Sequence, residues 1–184
     1  MVALDELKPY VQPHANGMSE PAIERLIIDS TKEFADRTGA ARESISLAVA
    51  AGQVELNPEP ASADEEVAGI ISVEVGDSTA TFANFFGKIN LSNAVSEDSS
   101  ATIECWTRPK YGVTQINDVF ANHYREGIVS GAIYRAKMTP GESYDPQGAN
   151  TYFQLFEKAV SQAKYDMASQ KSVKTITKNP QRLV

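Results

Sequence analysis

The chain has few of the residues that usually carry catalysis, metal binding or disulfide bonds. Its 184 residues include one cysteine, Cys105, and two histidines, His14 and His123. A single cysteine cannot form an intramolecular disulfide, as is usual for proteins of reducing compartments. The two histidines belong to no zinc or metalloprotease motif. We therefore predict no metal and no cofactor.

Motifs that bind phosphate or activate a serine are also absent. Gly87 and Lys88 lack the upstream glycine and the following hydroxyl of a G-x-x-x-x-G-K-[ST] loop. Ser130 stands between Gly127 and Gly131, but one place too late for a G-x-S-x-G elbow. We predict that the protein is not an enzyme. The alternative is a soluble enzyme or small-molecule-binding domain whose site is assembled from distant positions.

An overall positive charge and long apolar runs are missing as well. The formal net charge is -7, whereas general binding to nucleic acid needs clustered Lys and Arg. No apolar run approaches the roughly 20 residues of a membrane span. The first residues, from Met1 to Lys8, carry acids where a signal peptide carries positive charge. We expect a protein that folds in a cytoplasm and does not enter a membrane.

Three helices are predicted from apolar residues spaced three and four apart. The first begins after Ser19, has Pro21 in its first turn and ends at Gly39. The second covers about 115–138, and the third covers about 146–169. The connection between these two is short, so they should form an antiparallel hairpin.

Two glycines in the second predicted helix, Gly127 and Gly131, stand four residues apart. Each interior glycine costs a helix about 1 kcal/mol relative to alanine, so the pair needs an offsetting contact. We predict that Gly127 and Gly131 mark helix packing, where the backbone of a neighbouring element comes close.

Between the first and second helices the apolar period changes to two, which indicates strands. Gly52 and Gly76 mark the turns of two predicted hairpins. Strands grouped together between helices favour a separate antiparallel layer over βαβ units. The predicted strands cover 43–49, 53–56, 69–75, 79–86 and 101–108.

The predicted fold class is α+β. A helical bundle, made of the N-terminal helix and the C-terminal helical hairpin, carries an inserted antiparallel β-rich subdomain and ends in an extended C-terminal tail. The bundle comprises 1–42 and 109–169, the insertion covers 43–108, and the tail covers 170–184. The chain is long enough for one domain with an insertion of this size.

The inserted subdomain is acidic, with a single base, Lys88, between Glu59 and Glu104. One interpretation is an ordinary solvated surface. The other is an acidic wall that repels DNA passing beside it. The acids are Glu59, Asp64, Glu65, Glu66, Glu74, Asp77, Glu97, Asp98 and Glu104.

The tail contains basic residues and no acidic ones. Its β-branched residues favour extended structure, and Asn179-Pro180 forbids a continuous helix. One interpretation is a disordered terminus. The other is an extended segment that becomes ordered on the strand edge or groove of a partner protein. In that second interpretation the partner-binding residues are Lys171, Val173, Lys174, Ile176, Lys178 and Arg182.

Four stretches, in order along nearly the whole chain, carry a family resemblance. They are Leu7-Lys8-Pro9-Tyr10-Val11 with Pro13, Gly17 and Pro21; Phe34-Ala35-Asp36-Arg37-Thr38; Ala51-Gly52-Gln53; and the final hairpin, with Arg125-Glu126-Gly127-Ile128-Val129-Ser130-Gly131-Ala132-Ile133-Tyr134-Arg135, Met138, Pro140-Gly141, Tyr144, Asp145-Pro146 and Phe156. In this combination the chain resembles the head-to-tail adaptor proteins, also called head-completion or neck proteins, of tailed bacteriophages.

The resemblance implies a virion structural protein located in the neck between capsid and tail and assembled in the host cytoplasm. Such adaptors form a ring of about twelve copies beneath the portal protein. The ring closes the DNA-filled head, receives a downstream tail or nozzle protein, and lets the genome pass through its bore without specific binding. The C-terminal segment of such proteins commonly reaches onto the portal.

Other functions remain open on the sequence alone. A tail-terminator or another neck protein of the same assembly would differ in its partner. A DNA-binding protein that uses the basic tail would show strongly salt-dependent affinity. A soluble enzyme or small-molecule binder would show a concave pocket with convergent polar groups.

Overall fold

The computed structural model describes residues 1–85 and 87–177 of the chain. The helices include two long ones and two shorter ones. Short 3-10 turns flank the first helix, and a π-helical turn, Val119–His123, precedes the third. No helix in these ranges is both long and apolar enough to cross a bilayer. The helices are α1 (Lys8–Val11), α2 (Glu20–Thr38), α3 (Arg125–Met138) and α4 (Pro146–Thr177).

The strands of the described residues form three antiparallel sheets. They are β1 (Val2–Ala3), β2 (Arg42–Val49), β3 (Glu55–Leu56), β4 (Glu65–Val75), β5 (Ser78–Thr79), β6 (Phe82–Phe85), β7 (Lys88–Leu91), β8 (Ser99–Pro109) and β9 (Gln115–Ile116). The sheet orders are β1-β9, β2-β8-β4-β5 and β3-β7-β6. Helices together with antiparallel sheets confirm the predicted α+β class.

Helix α2 begins and ends where the sequence predicts. Ser19 has an extended backbone before the helix, and Pro21 lies in the first turn, where its missing N–H removes no intrahelical hydrogen bond. At the other end Gly39 adopts the left-handed conformation with φ of 61°, and its N–H donates to Ala35 O. Glycine terminates helices in this way because it has no Cβ to strain the left-handed backbone.

The second predicted helix is shorter than expected, because 115–124 does not join it. Gln115 and Ile116 instead pair with Val2 and Ala3, which satisfies backbone groups while burying Ile116 completely. Asn117 then accepts the N–H of Val119 through its side chain and that of Phe120 through its carbonyl. Asn competes for backbone groups in this way and so starts a new turn rather than extending a helix.

The first predicted hairpin is wrong. Gly52 does form a turn, with φ of 84°, but β2 pairs along its whole length with β8, and β3 pairs with β7 in another sheet. An alternating pattern specifies which face is buried and leaves the partner strand undetermined. The second predicted hairpin is present only as the short β4-β5 ladder, because β6 crosses to the sheet that contains β7.

The buried apolar side chains of the described residues form two separate clusters. The helical cluster draws on α1 to α4 and is centred on large side chains such as Phe34, Phe120 and Phe156. The β cluster lies between the four-stranded and three-stranded sheets and includes Ile103 and Cys105, both fully buried on one face of β8. Each unit therefore has a hydrophobic core of its own.

An ionic network joins α2 to the four-stranded sheet. Lys32 is buried, and its Nζ donates to Glu66 Oε1 at 2.7 Å and to the carbonyl of Pro109 at 3.0 Å. Arg108 Nε donates to the same carboxylate at 2.8 Å, and its Nη1 donates to Asp36 at 2.6 Å. Glu66 thus receives two cations, one from each unit.

The pairing of Glu66 predicts a stability change at acid pH. Burial acts to raise the pKa of Glu66, but hydrogen bonds from Lys32 and Arg108 outweigh it and hold the pKa below the ordinary value of 4.5. A depressed pKa in the folded protein contributes stability that is present above the unfolded-state pKa and lost as pH falls through the folded-state pKa. We expect Glu66→Gln to lower the free energy of unfolding at neutral pH.

The difference between Glu66→Gln and the natural protein should shrink as pH falls through the depressed folded-state pKa of Glu66, because the carboxylate is then protonated in the folded state as well as in the unfolded state. Urea unfolding at a series of pH values measures it. Glu59→Gln changes an exposed carboxylate and serves as the control. A difference that stays constant from neutral to acid pH would contradict the role of Glu66.

Helix α4 continues to Thr177, so the predicted extended segment is wrong over 170–177. A helix already nucleated adds each further residue at little cost, and this outweighs the weak β preference of Val, Thr and Ile. The part of the tail at 178–184 lies outside the described residues.

Candidate partner-binding surface

The predicted partner-binding residues fall into two groups. Lys171, Val173, Lys174 and Ile176 belong to the last part of α4. Lys178 and Arg182 lie outside the described residues. The candidate surface is therefore the C-terminal part of α4. The contacts that hold this helix to the rest of the protein are made by the part that precedes residue 170.

Helix α4 is fixed to the helical unit by one apolar stripe. Phe156, Val160 and Ala163 are fully buried, and Met167 is the last buried side chain before Ser169. On the same part of the helix, Tyr124 Oη donates to Asp166 at 3.3 Å. Between Met167 and Thr177 the helix advances about 15 Å.

An aromatic group packed around Phe34 of α2 joins the helices. The ring of Phe34 is completely buried and lies with its centroid 5.0 Å from Tyr124, 6.0 Å from Phe156 and 6.3 Å from Phe120. The Phe120 and Phe156 contacts are edge-to-face, the arrangement that aromatic quadrupoles favour. One side chain of α2 thereby contacts both the entry to α3 and the middle of α4.

Gly127 and Gly131 lie where α3 crosses its two neighbours. A Cβ at Gly127 would stand 2.6 Å from the Cβ of Ala159 in α4, and one at Gly131 would stand 2.2 Å from Ser30 Oγ in α2. The close neighbours are thus side chains, where the sequence led us to expect a backbone. Ser30 Oγ is held there by donating to the carbonyl of Ile128 at 2.7 Å.

Salt bridges across the helix surface add to this packing. Arg37 of α2 makes a two-pronged pair with Glu157 of α4, at 2.5 and 2.6 Å, and also donates to Glu33. Arg135 of α3 donates to Glu33 as well. The hydrogen bonds from Arg37 hold the pKa of Glu157 below its ordinary value. Planar guanidinium groups suit such forked contacts, so α2, α3 and α4 are fixed to one another.

The outward face of α4 carries large apolar side chains that the sequence analysis did not single out. Leu155 is 48 % exposed and Tyr165 is 71 % exposed. Both break the helical period of the buried stripe, and this departure was the available signal. Leu155 and Tyr165 thus add exposed apolar area to the part of α4 that precedes the basic segment.

Two of the acids of the inserted subdomain, Glu65 and Glu66, are engaged in internal contacts. Glu65 is buried, and its Oε2 accepts the Thr107 hydroxyl at 2.9 Å. Glu66 belongs to the ionic network described above. The acids that remain exposed lie in connecting loops and on the solvent side of β4; they are Glu59, Glu74, Asp77, Glu97 and Asp98.

Two of the side chains considered for chemistry, those of Cys105 and Ser130, are buried. Cys105 is fully buried, and loss of hydration together with Glu43 and Glu104 raises the pKa of its thiol to about 11. Ser130 is buried on α3. In the part of the chain that the structure describes, no group of three or more His, Cys, Asp or Glu side chains is placed to hold a metal ion.

No family model matches the sequence, and no curated protein matches it. The functional proposal therefore depends on the residues of the chain and on the resemblance described above.

Proposed function

We propose that the protein is a non-catalytic virion structural protein, a head-to-tail adaptor that forms a ring beneath the portal of a tailed bacteriophage. The observation that carries the proposal is the C-terminal part of α4. A helix fixed by Phe156, Val160, Ala163 and Met167 continues into a segment that is basic and free of acids, in a protein whose net charge is -7.

The charge contrast supports a docking role for this segment. Complementary charge steers two partners together and fixes their register, while like charges suppress wrong contacts. Lys171 and Lys174 stand one helical turn apart, as do Val173 and Ile176. The segment therefore combines positive charge and apolar side chains at helical spacing, which suits a groove on the portal better than a strand edge.

The remainder of the molecule supports assembly into a ring. The helical unit is stiffened by buried aromatic rings and forked salt bridges, and the outward face of α4 offers Leu155 and Tyr165 to a neighbouring copy. Exposed acids of the β unit, such as Glu74 and Asp77, would limit adhesion of the genome to the ring. A closed ring of identical copies uses one heterologous interface throughout.

The test of the proposal is removal of the segment. We expect a chain lacking 170–184 to fold, because it keeps the buried side chains of α4 from Phe156 to Met167. That chain should fail to co-purify with the portal protein of the same virus. The measurements are circular dichroism of the isolated chain and a pull-down with purified portal.

A charge variant refines this test. Replacing Lys171, Lys174 and Lys178 by Gln should weaken portal binding, whereas replacing the exposed Lys158 and Lys164 of the same helix should not. Unchanged portal binding by the truncated chain would contradict the docking role. Crosslinking of the segment to a tail-tube protein would instead indicate a tail terminator or another neck protein.

A further inference from the structure

Strand β2 is an open edge of the four-stranded sheet. In the part of the chain that the structure describes it pairs with β8 alone, and that ladder runs from Arg42 to Val49 without a register shift. Among the described residues, no backbone group of 44–49 bonds to a main chain outside this ladder. An edge strand of this kind presents a row of unpaired N–H and C=O groups.

The backbone groups that point outward from β2 belong to Ser44, Ser46 and Ala48. The Thr107 N–H donates to the Ala41 carbonyl at 2.9 Å, in the register that continues the ladder. Opposed residues of an antiparallel ladder alternate between bonded and non-bonded pairs, so the odd-numbered residues of β2 bond to β8 and the even-numbered ones point away. Ser44, Ser46 and Ala48 are all exposed. Each therefore offers one N–H and one C=O at the edge.

The unpaired part of β2 is bounded at both ends. On the far side the Ala50 N–H donates to the Gln53 side chain, and the Ala50 carbonyl accepts the Gln53 N–H. On the near side the Arg42 N–H donates to the Ala40 carbonyl. The free segment is therefore 44–48, which we call the β2 edge.

The β2 edge has none of the features that keep strand edges from pairing. Natural edges are blunted by charged residues, proline or bulges. The β2 edge reads Ser-Ile-Ser-Leu-Ala, without charge or proline, and its ladder with β8 is regular. Because the net charge of the protein is -7, an uncharged edge also lets a second acidic molecule approach without like charges directly opposite one another.

The opposite edge of the same sheet is less regular. Strand β4 has register irregularities between Val67 and Gly69 and between Ile70 and Ser72. Its end is covered by the two-residue strand β5. Head-to-tail extension of a sheet needs two regular edges, whereas two copies related by a two-fold axis need only one. The sheet therefore suits pairing of β2 with itself.

We propose that β2 pairs antiparallel with β2 of a second copy, across a two-fold axis at Ser46. The β2 edge is self-complementary about this residue, because Ser44 then lies opposite Ala48 of the second copy and Ile45 lies opposite Leu47. The outward-pointing residues exchange about six backbone hydrogen bonds. Leu47, which is partly exposed beside the β cluster, gains an apolar neighbour across the axis.

The contact is small, so the pairing is weak. Stable interfaces bury about 1,200–2,000 Å², and a contact between two short strands falls below that range. We expect a dissociation constant of about 0.1–1 mM. A two-fold contact uses one patch twice, whereas the proposed ring uses two different patches on each copy. The pairing therefore belongs to the free chain before assembly, and it goes beyond the proposed function without depending on it.

Amide hydrogen exchange of the full chain gives a direct readout. The amides of Ser44, Ser46 and Ala48 should gain protection as the protein concentration rises from about 20 μM to about 1 mM. The amides of Ile45 and Leu47 should be protected at every concentration, because they bond to β8. Sedimentation equilibrium over the same range should show a monomer–dimer equilibrium.

A charge exchange at the axis tests the two-fold geometry. Ser46→Lys and Ser46→Glu each place like charges opposite one another, so either variant alone should dimerise about threefold to tenfold more weakly. An equal mixture of the two variants should recover association, because opposite charges then meet across the axis. Ser96→Lys makes the same substitution at an exposed loop position and should dimerise like the natural protein. Circular dichroism checks that each variant is folded.

Three results would overturn the proposal. The first is a natural chain that stays monomeric at about 1 mM, with the amides of the β2 edge exchanging freely. The second is a dimer that Ser46→Lys leaves unchanged, or a mixture of the two charge variants that associates no better than either alone. The third is protection of the β2 edge only when purified portal protein is added, since the portal and not a second copy would then be its occupant.

Discussion

Replacing Phe34 by Ala should destabilise the helical unit by about 3–5 kcal/mol, the range found for fully buried phenylalanines. The ring contacts Phe120, Tyr124 and Phe156, and its removal leaves a cavity that three separate elements would have to close. For a chain of this length the change corresponds to a fall in Tm of about 6–20 °C. Differential scanning calorimetry measures it.

Phe153→Ala is the matched control for Phe34→Ala. Phe153 also has an aromatic partner, Tyr134 at 5.1 Å, but its side chain is 37 % exposed. Its loss should cost much less, because little area is removed from water and no closed cavity forms. Equal falls in Tm for the two variants would show that Phe34 does not join the helices as described.

The Phe34→Ala variant also tests whether the helical unit and the β unit melt independently. Phe34 belongs to the helical cluster, whereas Ile103 belongs to the β cluster, and the two clusters share no buried residue. Between α2 and the four-stranded sheet the described contacts include the ion pairs of Lys32 and Arg108. Ionic contacts at a partly exposed boundary couple units weakly. We expect Phe34→Ala to shift the melting of the helices more than that of the sheets.

The parts of the fold that local sequence signals determine were predictable. Helix α2 is the clearest example, because Pro21 and Gly39 specify its ends through backbone geometry alone. The buried face of β8 was predictable for the same reason, since Ile103 and Cys105 alternate with polar residues.

Strand partners were not predictable, because pairing is a non-local choice. Ile45 of β2 lies opposite Ile103 of β8, and the intervening chain forms all three strands of another sheet, β3-β7-β6, as well as β4 and β5. A turn at Gly52 is compatible both with a hairpin and with a crossover. Which one forms depends on the area buried by the long central strand β8, and no short window of sequence contains that information.

The burial of charged residues could not be predicted from the sequence either. Glu65 and Lys32 read as surface residues from their type, yet both are buried and hydrogen-bonded. A charged side chain is buried only where the fold brings a hydrogen-bonding or oppositely charged group next to it. The basic segment was identified from its composition, whereas its helical backbone over 170–177 was not.

Replacing Gly131 by Ala should destabilise the protein by about 1–3 kcal/mol, although the same change in an open helix stabilises by about 1 kcal/mol. The new methyl would stand 2.2 Å from Ser30 Oγ and 2.6 Å from the ring of Phe156. Neither neighbour is free to move, because Ser30 donates to the carbonyl of Ile128 and Phe156 is fully buried. Chemical denaturation measures the change in free energy of unfolding.

A methyl exchange between α3 and α4 tests the same argument at Gly127. Gly127→Ala alone should destabilise, because its Cβ would lie 2.6 Å from the Cβ of Ala159. Adding Ala159→Gly removes that Cβ, so the double variant should recover a coupling energy of about 0.5–3 kcal/mol relative to the sum of the two single changes. If the two changes were simply additive, the two helices would not be in steric contact at this point. Under the docking role proposed for the basic segment of α4, a looser α3–α4 contact in Gly127→Ala should also weaken binding to the portal protein, and the exchange should restore it.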